Sequence, residues 1–99
     1  MAKGYLIGRV EVHDPLAYGK FLTRNAKLIA SHGGRDLARG GQVETLEGET
    51  DDRRLVIVEF PSFEAARGFY FSEEFVRLKA LRDAACDAQF ILTEGIPQT

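Results

Sequence analysis

Residues 54–60 read RLVIVEF. Leu55 to Val58 are four consecutive apolar residues, three of them β-branched, and Pro61 follows directly after Phe60. A short β-branched run closed by proline predicts a strand, and an uninterrupted apolar stretch predicts one inside a sheet. Side chains alternate along a strand, so Val56, Val58 and Phe60 share one face, while Leu55, Ile57 and Glu59 share the other. The first face is wholly apolar and calls for a layer of helices. The second is mixed.

The neighbouring segments supply those helices. Tyr5 to Val12 (YLIGRVEV) reads as a strand that His13-Asp14-Pro15 stops. Asp14 suits a helix N-cap and Pro15 the first helical position. The helix is expected from Pro15 to about His32, with Leu16, Tyr18, Phe21, Leu22, Leu28 and Ile29 on its apolar stripe and Lys20, Arg24 and Lys27 largely off it. Gly33 suits the position just past its end. Residues 33–41, GGRDLARGG, then give that helix end, a short strand Arg35–Arg39, and a turn or bulge at Gly40-Gly41. Extended chain resumes from Gln42 to Leu46, and 48–53 is a polar connection. Beyond Pro61, Ser62 caps a second helix, with Glu64 in its first turn. Ser72-Glu73-Glu74 marks another helix start, so the second helix should break near Phe71 and continue to about Ala85. Cys86 to Glu94 is a final strand and residues 96–99 a tail. The order predicts one α+β domain over residues 1–99: a ferredoxin-like sandwich, an antiparallel sheet with two helices on one face.

Extending the alternation gives a helix-facing set of Leu6, Gly8, Val10, Val12, Val56, Val58, Phe60, Ala88, Phe90 and Leu92. The opposite set is Tyr5, Ile7, Arg9, Glu11, Leu55, Ile57, Glu59, Gln89, Ile91 and Thr93. Its five large apolar or aromatic side chains are too many to leave in water. A second copy of the same sheet is the simplest cover, which predicts a two-fold homodimer through Ile7, Arg9, Leu55, Ile57 and Glu59. Arg9 and Glu59 would either pair directly in that interface or sit solvated at its rim.

Composition narrows the function classes. Thirteen basic and fifteen acidic residues are mixed along the chain, for a net charge of −2, with no basic stripe for nucleic acid. The opening MAKGYLIGRVEV lacks the continuous apolar core of a signal peptide, and no run reaches the ~18 apolar residues of a membrane span. A cytoplasmic protein without nucleic-acid or membrane partners is the expectation. Cys86 is the lone cysteine and His13 and His32 the only histidines, so no metal site is expected. Neither histidine has an evident carboxylate to orient it; Cys86 reads as a small buried residue, and Asp51-Asp52 beside Arg53-Arg54 as a solvated loop.

The two glycine pairs of GGRDLARGG are not a phosphate cradle. Such a cradle follows a strand and opens a helix, whereas these glycines follow a helix and flank a strand. Arg39 beside Gly40 could hold a carboxylate next to exposed backbone N–H groups, or could pair with Glu44 or Glu47. Tyr18, Asn25, Tyr70 and Ser72 are the other candidates for a ligand cleft between sheet and helices; alternatively Tyr18 only packs and Ser72 only caps.

Several short motifs occur in a familiar order: Gly4-Tyr5, Asp14-Pro15 with Tyr18, Gly33-Gly34-Arg35 to Arg39-Gly40-Gly41, Leu46-Glu47-Gly48, Val58-Glu59-Phe60-Pro61, Ser72-Glu73-Glu74-Phe75 and Glu94-Gly95. Across about residues 4–96 the chain resembles the bacterial family of domain of unknown function 1330, in the dimeric α/β-barrel superfamily. It departs from that pattern at Leu6, where relatives often carry an aromatic residue, and at Phe75, where Ser-Pro-Glu-Tyr becomes Ser-Glu-Glu-Phe and a phenol is lost. The resemblance implies a ferredoxin-like protomer and a dimer whose sheets pack together. It implies no chemistry. Three readings stand at this level: a cofactor-free enzyme acting on a small organic molecule in the cleft; a small-ligand binding or sensing dimer; and an interaction protein without catalysis. The first two call for a small anionic or carbonyl ligand.

Overall fold

The computed structural model describes residues 1–97. The expected tail falls partly at positions 98–99, outside the described residues. The elements run β1 (Gly4–Val12), α1 (Pro15–Ser31), β2 (Arg35–Arg39), β3 (Arg54–Phe60), α2 (Phe63–Tyr70), α3 (Glu73–Ala85) and β4 (Cys86–Glu94). The four strands form one antiparallel sheet in the order β2-β3-β1-β4. β3 and β1 are the interior strands, as the apolar run in RLVIVEF requires.

Local chemistry fixes the helix ends. Asp14 Oδ1 accepts from the Ala17 N–H at 3.1 Å, with Pro15 in the first turn. At the other end the Gly33 N–H donates to Ala30 O and the Gly34 N–H to Ile29 O, with Gly33 at φ 76°. That reciprocal pair needs a left-handed residue, which glycine adopts without strain. Ser62 Oγ caps α2 by accepting from the Ala65 N–H at 3.0 Å. α2 ends at Phe71, and Ser72 Oγ caps α3 by accepting from the Phe75 N–H at 3.2 Å. The same hydroxyl donates to Phe69 O at 2.8 Å, so Ser72 pins both sides of the break.

One face of the sheet meets the helices. Leu6, Val10, Val56, Val58 and Phe60 are buried with Tyr18, Phe21, Ile29, Phe69 and Phe75. Phe60, Phe69 and Phe75 form a ring stack with centroids 5.1 and 4.7 Å apart. Gly8 lies opposite Phe90 in the β1–β4 register, and the Phe90 ring occupies the space that a Cβ on Gly8 would fill.

Several expectations need correction. Leu16 is 74% exposed. It stands about 200° round the helix from Tyr18, off the true stripe. Ala88 is exposed because β4 is an edge strand that the helices only partly cover. The bulge in β2 is at Leu37, between the pairs Asp36–Val58 and Ala38–Ile57, while Gly40, at φ 76°, is a bend just past the strand, the turn alternative. β2 stops at Arg39, and Gln42 to Leu46 adds no strand.

The long β2–β3 loop instead approaches the open sheet face. It borders a depression with Arg9 and Leu55 that Val43 to Glu47, Glu49, Asp51 and Arg53 complete. Asp51 holds it. Its carboxylate accepts from the backbone and side chain of Arg53 and, at 2.9 Å, from Arg9 Nη1. Its N–H donates to Thr45 Oγ1 at 3.1 Å. The Asp51-Asp52 segment is therefore a knot rather than a merely solvated loop. The Arg53 guanidinium, with help from Arg9, holds the Asp51 carboxyl far below the usual carboxylate range.

Candidate functional site

A cleft runs between the helix layer and the sheet, lined by Tyr18, Asn25, Asp36, Arg39, Arg82 and Phe90 above an apolar floor. The cleft as a whole leaves about 30 Å³ of free room, enough for a water-sized group. Asp36 and Arg39 are exposed and mark its mouth, while Arg82, only 4% exposed, lies at its inner end.

Helical spacing carries Arg82 inward. Phe75, Leu78, Arg82 and Ala85 follow one another at three- and four-residue intervals, so the arginine occupies a place on the apolar stripe of α3. Its guanidinium lies 4.4 Å from the Phe90 ring centroid, 5.7 Å from that of Phe75 and 6.0 Å from that of Phe21. Aromatic faces are an attractive setting for a desolvated cation. Nη2 donates to the Tyr70 hydroxyl at 3.4 Å and to Asp83 Oδ1 at 3.3 Å. The buried Nε–H meets no acceptor among the described residues, and the buried Asn25 Oδ1 meets no donor. Buried polar atoms without partners are few in native proteins, and each asks for an explanation. Here one donor and one acceptor border the same cleft.

The other candidates distribute around this centre. Tyr18 is buried against it, and burial pushes its phenol pKa up. The Arg54 guanidinium sits 5.4 Å from the Tyr18 ring centroid. Gly40 supports that contact from behind: it has φ 76°, and a Cβ there would come 2.8 Å from Arg54 Nη1. Arg39 pairs across the mouth with Asp36 at 3.3 Å, and not with Glu44 or Glu47. The bulge at Leu37 puts these two residues on one side of the strand. Tyr70 reaches the centre through Arg82 and itself lines an outer groove with Phe63, Arg67 and Phe71. Ser72 and Gly40 do not line the cleft. Sequence reading missed Arg82, and the readable signal was a cation standing where the stripe calls for an apolar residue.

On the open face, Arg9 and Glu59 do not pair with each other. The register sets Arg9 opposite Leu55 and Glu59 opposite Tyr5, four residues away. Arg9 binds Asp51, while Glu59 accepts from Arg35 Nε at 3.1 Å and the Tyr5 hydroxyl at 3.2 Å. Ile7, Leu55, Ile57 and Glu59 are half-buried, and Arg9 is exposed. His13 does have a carboxylate partner: its Nε2 lies 2.8 Å from Asp87 Oδ2, and this hydrogen bond raises its pKa. Glu11 is close by, at 3.9 Å, and all three side chains are exposed. His32 contacts Leu28 O through Nδ1 and meets the Phe69 ring edge-on. Cys86 is buried, its Sγ 3.3 Å from Arg82 O, and burial raises its thiol pKa.

Among known proteins, the model of one family, the domain of unknown function DUF1330, matches residues 3–96. No curated protein matches the chain. Solved structures share its fold. The RPA0582 protein of unknown function from Rhodopseudomonas palustris is 18% identical with TM-score 0.74, over 98% of this chain and 85% of its own. SnoaB, a cofactor-independent oxygenase from Streptomyces nogalater, is 17% identical with TM-score 0.67, over 100% of this chain and 97% of its own. A dimeric ferredoxin-like protein of unknown function from Thermobifida fusca is 13% identical with TM-score 0.62, over 96% of this chain and 92% of its own. The chain is thus a ferredoxin-like α+β protein.

Proposed function

The chain belongs to the DUF1330 family, and from that premise we propose that it is a homodimer that binds a small organic molecule in the cleft between sheet and helices and acts on it without a metal or organic cofactor. The observation that carries this reading is the buried Arg82, whose unused Nε–H borders the same cleft as Asn25. A fixed cation in a water-poor aromatic setting favours an anionic or carbonyl oxygen, and favours it more as negative charge develops there. Arg82 would hold that oxygen, Asn25 and Tyr18 would orient the molecule, and Arg39 would attract it at the mouth. SnoaB, of the same fold, is a cofactor-independent oxygenase, so a fold of this kind can host chemistry without a cofactor.

A second reading, a binding or sensing dimer, has its own support. Asp36 is the only carboxylate among the lining residues, it is tied to Arg39, and no lysine or histidine lines the cleft. Turnover separates the two readings. Binding is tested by thermal melting with a panel of small carboxylates and ketones. At saturation, a true ligand raises the midpoint by several degrees. That shift is expected in the wild type and not in Arg82→Met. No shift with any compound would overturn the cleft as a ligand site.

The dimer reading rests on the half-covered open face of Ile7, Leu55 and Ile57, and the Thermobifida fusca relative in fold is itself dimeric. The sheets would meet face to face, leaving the two clefts on the outer sides.

A further inference from the structure

Spacing along the chain suggests no metal site, yet the fold gathers three ligand types at one end of the open sheet face. His13 and Asp87 are 74 positions apart in sequence. Glu11 and Asp87 are direct partners in the β1–β4 register, and His13 follows two residues after Glu11. His13 Nε2 lies 2.8 Å from Asp87 Oδ2 and 3.9 Å from Glu11 Oε1. One donor atom from each of the three lies within 4.8 Å of the other two. We propose that Glu11, His13 and Asp87 form a binding site for a divalent transition-metal ion of the zinc type.

The distances fit one ion. Zinc holds imidazole nitrogen and carboxylate oxygen at about 2.0–2.2 Å, which sets two donors of a tetrahedral site about 3.4 Å apart. The two separations from His13 bracket that value, so rotation of exposed side chains closes the set. The backbone is already fixed: β1 and β4 stay paired as far as Val12–Cys86, and the His13 N–H donates to Ala85 O at 2.8 Å. Ligands placed on paired strands need less ordering than ligands on a loop. Electrostatics favours the same occupant. Two carboxylates directly opposite each other on a sheet repel. The charge of Arg53 reaches Glu11, but its guanidinium is bound to Asp51. A divalent ion would balance both carboxylates at once.

The donor set chooses the class of ion. Imidazole nitrogen suits zinc, nickel and copper, whereas magnesium and calcium take oxygen ligands. An imidazole aimed between two carboxylates therefore separates this cluster from a plain acidic patch, which would hold hard and borderline cations alike. All three side chains are exposed, so the remaining coordination positions face solvent. The cleft, lined by Leu6, Val56 and Val58, lies on the other face of the sheet, and the ion takes no part in it.

The test is isothermal titration calorimetry of the untagged full chain with zinc chloride and with magnesium chloride. One Zn²⁺ per chain is expected in the micromolar range, with Mg²⁺ at least a hundredfold weaker. His13→Ala, Glu11→Gln and Asp87→Asn should each weaken Zn²⁺ at least tenfold, and His32→Ala should leave it unchanged. The side chains are exposed, and circular dichroism checks that each variant is folded. In the wild type, the His13 ring nitrogens should shift on Zn²⁺ addition in ¹⁵N NMR. Zn²⁺ binding no tighter than Mg²⁺ would reduce the cluster to an acidic surface and overturn the proposal. So would Zn²⁺ binding that survives His13→Ala, or no binding at all.

Discussion

Arg82 shows how one side chain can be costly to the fold and useful to the site. Burying a cation is expensive unless its hydrogen bonds are complete, and apolar replacements of buried ion pairs are often neutral or stabilising. Arg82 keeps an unpartnered Nε and leans on the partly exposed Asp83. Arg82→Met is therefore expected to unfold at the same or a higher urea midpoint than the wild type while losing ligand binding; a clear drop in midpoint would mark the arginine as a structural element. Phe69 is the contrasting case. It is fully buried between Phe60 and Phe75, and Phe69→Ala should lose about 3–5 kcal/mol in urea unfolding. Gly40→Val strains a positive-φ position and presses on Arg54, so a loss of about 1–3 kcal/mol is expected in the same measurement. An unchanged midpoint would show that the backbone and Arg54 both relax freely.

The seven elements were legible because each carried its own punctuation: Asp14, Ser62 and Ser72 as caps, Gly33 as a stop, and Pro61 as a strand end. The β2–β3 loop was not, because its order comes from pairs distant in sequence. Arg9 meets Asp51 across 42 positions, and no local pattern records that. The same reason hid the true partners of Glu59 and His13; that of Arg39, Asp36, is only three residues away and was hidden because the bulge at Leu37 alone puts the two on one side of the strand. Asp51 makes the loop sensitive to acid. Its pKa is lowered on folding, so its contribution is complete above the ordinary carboxylate pKa of ~3.9 and disappears as pH falls through the lower folded value. The protection of residues 45–53 against amide exchange, relative to the intrinsic rate at each pH, is expected to fall selectively as the pH drops below about 4, and Asp51→Asn should show that low protection already at neutral pH. Protection that does not change with pH or with Asp51→Asn would show that the knot does not hold the loop. His13 works in the opposite sense: its pKa is raised by Asp87, so its contribution is present below ~6.5 and fades as pH rises through the folded value.

At the scale of the whole molecule, parity along the strands separated the helix-covered face from the half-covered one. It could not show how much of the second face a loop would shelter. Of the candidate site, Tyr18, Asn25 and Arg39 line the cleft, and Tyr70 touches it through Arg82. Arg82 stayed hidden because an arginine in a helix reads as solvated until its register is counted. Ile57→Asp, in the middle of the open face, is expected to convert a dimer to a monomer in sedimentation velocity with unchanged helix content. Identical sedimentation of variant and wild type would place the interface elsewhere.

The Phe90 ring over Gly8 has a further consequence, for how this sequence can vary. Gly8→Ala alone drives a methyl group into the ring that stacks on Arg82, and Phe90→Ala alone opens a void beside the guanidinium. Made together, the two changes exchange volume across one rung of the ladder. A double-mutant cycle should therefore show strong coupling, and in any selected library the residues at positions 8 and 90 should drift as a pair, bulk appearing on one strand only where it has left the other.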